Sequence, residues 1–207
     1  MITKDLFIFS SWHRRFGGGV KGPGDAGTRS MVREGSMLED LYLLATIGRY
    51  RVAKSSEATP HLVRGRLMPK LQQWGGKWLE GVTVSGSYAK VTAIRGVSLA
   101  PSDLDVDLFL SLSSEMSETL AEMQRKLCEA LREYQARIAN VAVRIVFENK
   151  RVDLVAGRRW EGGEDHSLWR AREGTWARTN VVEQVRFVRE SCCRDEILAL
   201  KIWRLWQ

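Results

Sequence analysis

Cysteine and histidine are scarce, with three of each in 207 residues. Cys192 and Cys193 are neighbours and Cys128 is remote, so neither a disulfide framework nor a paired-cysteine metal site can be drawn. A reducing, cytoplasmic setting is the expectation, with the vicinal pair read as helix packing residues. His13, His61 and His166 stand far apart and read as surface or core residues rather than zinc ligands. No window approaches the ~20 uninterrupted apolar residues of a membrane span. The opening M-I-T-K-D-L-F-I-F-S-S-W is broken by an acid and lacks a small-residue cleavage site, so no secretory signal is expected. Internal repeats are absent. Beyond a glycine-rich leader there is no low-complexity tract.

What is present suits one globular body. Hydrophobic residues make up 44% and charged residues 28%, near globular averages. The 32 Lys and Arg outnumber 25 Asp and Glu, a net charge of +7 that favours polyanionic partners such as nucleotides or RNA.

Seven glycines precede residue 36 in a stretch without apolar periodicity, which predicts a flexible leader over 1–35. Residues 36–178 form the main body, and 179–207 the start of a helical region that looks truncated. Leu38, Leu41, Leu43, Leu44 and Ile47 recur at helical spacing, and a second helix is expected over 57–73 with Leu62, Leu67, Met68 and Leu71 buried. Strands are expected over 79–84, 103–112, 141–147 and 151–155, with one amphipathic helix over 114–138 between the second and third. Asn180 is placed to cap a helix over 181–191. Another, from Asp195 onward, carries more apolar surface than one stripe needs.

The segment S-D-L-D-V-D-L-F-L-S-L at 102–112 is the most informative. Alternation in a strand puts Asp103, Asp105 and Asp107 on one face, with successive members ~7 Å apart, and Leu104, Val106, Leu108 and Leu110 on the other. Aspartate is a poor strand former. Its threefold use on one face therefore points to a divalent cation with hard oxygen ligands, magnesium above all; the bland reading is an edge strand with a solvated acidic face. Upstream, Gly86 and Ser87 sit where a strand meets a turn whose N–H groups and hydroxyl suit phosphate oxygens, although Gly-Ser is also a common turn. Downstream, R-V-D-L-V-A-G isolates Asp153 between Val152 and Leu154, a costly position unless the carboxylate is paired or metal-bound.

Together these segments resemble the nucleotidyltransferase superfamily of DNA polymerase β. G-S-Y-A-K-V-T-A-I-R-G at 86–96 followed by D-V-D-L-F-L-S-L at 105–112 is similar to the branch that holds 2′-5′ oligoadenylate synthetases, class I CCA-adding enzymes and bacterial cGAS/DncV-like nucleotidyltransferases. The bacterial members are nearest in wording, and the likeness runs over about 38–207. It implies an α+β fold, a mixed twisted sheet flanked by helices, with 36–178 as the catalytic domain. It implies that Gly86, Ser87 and Lys201 bind the nucleotide, and that Asp105, Asp107 and Asp153 bind two magnesium ions, manganese being an alternative. Asp103 with Asp105 is the other register for the metal pair, and a snorkelling surface lysine the other reading of Lys201. Val91 replaces a glycine of the family pattern, which stiffens the phosphate turn, and Ala156 replaces a proline.

The implied reaction is attack by a hydroxyl on the α-phosphorus of a nucleoside triphosphate, ATP for preference, with pyrophosphate leaving. A cyclic or linear oligonucleotide messenger of anti-phage defence is the favoured product. RNA 3′-end addition of the CCA or poly(A) type is the alternative, and a toxin–antitoxin or antibiotic-modifying transferase a more distant one. A third reading is a non-catalytic module of the same fold, with arginines at 158, 159, 170, 172 and 178 and Trp160, Trp169 and Trp176 contacting single-stranded RNA; against it stands a solvated loop anchored by its tryptophans. No membrane partner is expected.

Overall fold

The computed structural model describes residues 40–52, 58–94 and 105–205. The chain divides after Arg49 into two units. The first is described from residue 40 and is helical there (α1, 40–50), with Ile47 buried and Leu41 and Leu44 exposed. The predicted leader over 1–35 lies outside the described residues. So do Leu38 and Asp103.

In the second unit, α2 (Thr59–Gly75) stops at Gly76, whose φ of +50° a glycine adopts without strain. Its buried stripe is Val63, Leu67 and Leu71, at a spacing of four; Leu62, expected inside, is exposed. Then comes β1 (Leu79–Ser85), which runs straight into a four-residue helix, α3 (Gly86–Ala89). After it, β2 (Val106–Leu112) starts three residues later than the 103–112 expected, and Asp105 stands just before it.

The single helix expected over 114–138 is instead α4 (Leu120–Ala130), followed by a 3₁₀ turn at Arg132–Tyr134 and by β3 (Arg137–Ala139). Thr119 starts α4 with a reciprocal cap. Its hydroxyl accepts from the Glu122 N–H, and the Glu122 carboxylate accepts from the Thr119 N–H. Met116 and Leu131, on either side, are nevertheless buried, so their hydrophobic spacing reported burial rather than helix.

β4 (Ala142–Phe147) and β5 (Lys150–Arg159) follow, the latter about twice its predicted length. The residues 158–178, read as a loop, are largely a hairpin of β6 (His166–Arg170) and β7 (Thr175–Thr179). It is clasped by the facing pair Trp169 and Trp176, whose rings meet edge to face at 5.1 Å. Asn180 accepts from the Glu183 N–H and caps α5 (Val181–Glu190) as expected, and α6 (Arg194–Leu205) ends the described chain. Cys192 and Cys193, between these helices, are exposed rather than packed. Among the described residues no helix is long and apolar enough to cross a membrane.

Among the described residues seven strands form one mixed sheet in the order β1-β2-β5-β4-β3, with β6 added to β5 and β7 to β6. The central pair, β2 and β5, is parallel and its neighbours are antiparallel. Val106, Leu108, Leu110 and Leu112 of β2, with Val152 and Leu154 of β5 and Val143 and Ile145 of β4, are fully buried in a cluster with α2 and α4. Each such side chain contributes about 2 kcal/mol of burial. With one face committed to helices, the intervening residues of β2 and β5 face the other way.

Candidate active site

Asp107 and Asp153 are direct partners in the parallel register of β2 and β5. At the ~4.8 Å spacing of neighbouring strands, both carboxyl groups project side by side from the face opposite Leu108 and Leu154. Because β2 lies between β1 and β5, the solvated edge strand is excluded. On the other flank Asp107 is paired with Ser85, the last residue of β1, so the turn into α3 is brought against the same carboxylate.

That turn requires Gly86. Its φ is +63°, and a Cβ added there would lie 1.8 Å from Asp107 Oδ2. The Ser87 N–H donates to the Asp107 carboxylate. Lys90 N–H to the Gly86 carbonyl, 3.1 Å, and Thr92 N–H to the Ser87 carbonyl, 2.9 Å, close the turn. Val91, at φ +57°, holds a left-handed conformation that a β-branched residue adopts only under strain, consistent with a position where glycine is at ease.

The carboxylates have unequal company. Arg144, facing Asp153 across β4 and β5, donates to both oxygens, Nε to Oδ1 at 2.7 Å and Nη2 to Oδ2 at 2.6 Å. Arg151 grips both oxygens of Asp105. Asp107 has no such arginine. Burial first, then the negative charges of Asp153 and Asp105, push its carboxyl up to about 6, against the Ser87 N–H and the Lys201 charge. Burial and the Asp105 charge likewise push the neighbouring Tyr88 phenol to about 12.

Lys201 reaches in from α6, donating to the Thr92 carbonyl at 2.8 Å and to Thr92 Oγ1 at 3.2 Å. Burial and then the Lys90 charge lower its ammonium pKa, with the Asp107 charge opposing them. Gly86, Ser87, Asp105, Asp107, Asp153 and Lys201 thus share one neighbourhood although they span 116 positions (201 − 86 + 1).

Sequence reasoning missed Arg144 and Arg151. The signal was present for Arg151, two residues before Asp153 and therefore on its face of the strand. For Arg144 it lay in the alternation of A-V-R-I-V-F, where Val143 and Ile145 face the core.

The donor set fits a divalent metal in its chemistry. Burial first, and then the charges of the other two carboxylates, lift Asp107, and three hard oxygen donors so placed suit a magnesium or manganese ion. With Asp105 and Asp153 turned to their arginines, no group of three His, Cys, Asp or Glu among the described residues is gathered to hold an ion as they stand.

The arginines read as RNA contacts are mostly engaged within the protein. Arg158 donates to the carbonyls of Ser114 and Met116, at 3.1 and 2.7 Å for Nη2. Arg159 pairs with Glu80 at 3.1 Å. Arg178 pairs with Asp165 and lies 4.5 Å over the Trp160 ring. Arg170 and Arg172 are exposed.

A mixed sheet with aspartates at matching levels of a parallel central pair, and a Gly-Ser turn against one of them, has the fold of several solved bacterial cyclic dinucleotide synthases. The chain is similar to the Elizabethkingia meningoseptica CdnE cyclic dinucleotide synthase solved with GTP and Apcpp (TM-score 0.60, 15% identity, 80% of this chain and 66% of that one). It is similar also to E. coli MS115-1 CdnC solved with ATP (TM-score 0.58, 18% identity, 78% and 56%). A third likeness is to a STING-associated CdnE c-di-GMP synthase from Capnocytophaga granulosa (TM-score 0.58, 16% identity, 84% and 59%). The chain thus spans between about half and two thirds of these proteins' lengths. By sequence, no family model and no curated protein matches it.

Proposed function

We propose that this chain is the core of a nucleotidyltransferase that transfers a nucleoside monophosphate from a nucleoside triphosphate, ATP for preference, to a hydroxyl, releasing pyrophosphate. One observation carries the reading: Asp107 and Asp153 face each other across a parallel strand pair while Gly86 lets a Ser87 turn close against Asp107. In this reading 36–178 is the catalytic domain and 179–207 the beginning of a helical region.

Asp105, Asp107 and Asp153 would hold magnesium, the pair Asp105 and Asp107 being preferred because Asp107 is the carboxylate beside both the turn and Asp153. When bound, the metal supplies Lewis-acid stabilisation of the α-phosphate and leaving oxygens and a lowered pKa for the attacking hydroxyl. The residues of the chain do the rest. Ser87 and the turn hold triphosphate oxygens, and Lys201 with Lys90 offsets their charge. Asp153 orients the acceptor hydroxyl and receives its proton.

The favoured acceptor is a second nucleotide, giving a cyclic or linear oligonucleotide signal, a reading supported by the likeness to a cyclic dinucleotide synthase and a c-di-GMP synthase; a role in anti-phage signalling goes with it. Incubation with the four labelled triphosphates and magnesium, with and without tRNA, tests this. Oligonucleotide formation without RNA supports it; label that enters only RNA moves the assignment to 3′-end addition. No turnover, or full turnover by Asp105→Ala, overturns it.

A further inference from the structure

On the far side of α3 from Asp107, basic side chains line a cleft whose wall holds none of the three aspartates. A cleft of about 480 Å³ is bounded by residues 51–52, α2, the free edge of β1, α3 and α5, a volume within the ~300–1,000 Å³ of small-molecule sites. Arg51, Arg64 and Arg189 line it, with His61 beside them, and among the described residues no Asp or Glu does. Asp105, Asp107 and Asp153 are not part of its wall.

These cations are poorly compensated. Arg51 pairs with Asp195 at 2.7 Å. Arg64 reaches only the Val82 carbonyl, at 3.5 Å, and among the described residues neither it nor Arg189 has an ion pair. Like charges along one cleft raise the energy of the folded state unless an anion joins them, so Arg64 and Arg189 leave in it a positive field that, among the described residues, no carboxylate pairs. The wall also includes Tyr88, whose buried hydroxyl has no hydrogen-bond partner, a polar atom that a ligand could satisfy. Between the charges the surface is aliphatic, from Val84, Val91 and Val185.

We propose that this cleft binds a nucleotide, its phosphate on the guanidinium forks of Arg64 and Arg189 and its base on the valines. Guanidinium groups match phosphate oxygens two at a time, and an apolar wall beside them suits a flat heterocycle better than a free inorganic ion. The site shares α3 with the one proposed for transfer but none of its three aspartates, and it does not depend on that reading.

The test uses the full chain, AMP as probe and EDTA to remove divalent metal, with affinity read by titration calorimetry. AMP lacks the triphosphate that the Ser87 turn would hold. One molecule binds, more tightly than inorganic phosphate, and Arg189→Ala and Arg64→Gln each weaken it about tenfold. Asp107→Asn and Ser87→Ala leave it unchanged. Arg189 is exposed and unpaired among the described residues, and an unaltered thermal midpoint shows that its variant is folded. The proposal is overturned by an absence of metal-free binding, by affinity that ignores Arg189→Ala, or by loss of binding in Ser87→Ala. Because turnover is not read, failure of the transferase reading leaves this result interpretable.

Discussion

Arg144 holds Asp153 by both carboxylate oxygens across the β4–β5 pair, at 2.7 and 2.6 Å. The two side chains are 29% and 16% exposed, so each has surrendered much of its hydration to the other. The carboxylate assigned to a metal is thus already neutralised by the chain itself, and a divalent ion must compete with a fork of two charge-assisted hydrogen bonds.

Arg144→Gln removes the competitor. Without metal the variant loses about 1–3 kcal/mol, because Asp153 is left part-buried and unpaired. With magnesium at saturating concentration most of this returns, since the ion now binds more tightly than to the parent. Thermal midpoints with and without magnesium check both arms, and a loss that magnesium does not reduce counts against metal binding at Asp153.

Asp107 predicts a pH dependence. Its folded-state pKa, about 6, lies above the ~3.9 of an unfolded chain. Between these values the folded state keeps a proton that the unfolded state has lost, so metal-free stability falls as pH rises from about 4 to about 6, by ~3 kcal/mol in all. Asp107→Asn abolishes that slope and is the more stable protein at pH 7 without metal, yet has no transferase activity. Denaturant titrations at pH 5 and 7 read the difference; parallel behaviour of the two proteins contradicts the assignment.

Gly86→Ala brings a Cβ to 1.8 Å from Asp107 Oδ2 at φ +63°. Turn and carboxylate must separate, at a cost of more than ~2 kcal/mol. Loss of nucleotide binding accompanies it. A folded variant with native turnover shows that the close approach is dispensable.

Val91→Gly acts in the opposite sense. Val91 is exposed with φ +57°, so glycine relieves strain without emptying the core and stabilises by about 1 kcal/mol. A higher thermal midpoint is expected. If the midpoint falls, the greater freedom of glycine in the unfolded chain outweighs the strain.

The places of β1, β2, β4 and β5 along the chain were legible because period-two alternation of β-branched and leucine residues marks a strand with one committed face. Alternation also put Asp105 and Asp107 on one side. It read Met116 and Leu131 as helical when they are only buried, because apolar spacing near a helix does not distinguish the helix from the segments packed beside it; the Thr119 cap was the better signal. The β6–β7 hairpin escaped notice because arginines and tryptophans alternate there without an apolar face, and its pairing is set by contacts such as Trp169 with Trp176.

By itself the sequence determined which residues are able to do chemistry: acids too many for a strand, a Gly-Ser turn before them, a lone aspartate among valines. Tertiary structure decided their company. The parallel register of β2 with β5 puts Asp107 beside Asp153, the antiparallel register of β4 with β5 gives Asp153 to Arg144, and the remaining uncompensated charge falls on Asp107. Local patterns carry side-chain direction along one strand, whereas register between strands depends on backbone hydrogen bonds joining residues tens of positions apart, and it is register that sets the electrostatics of this site.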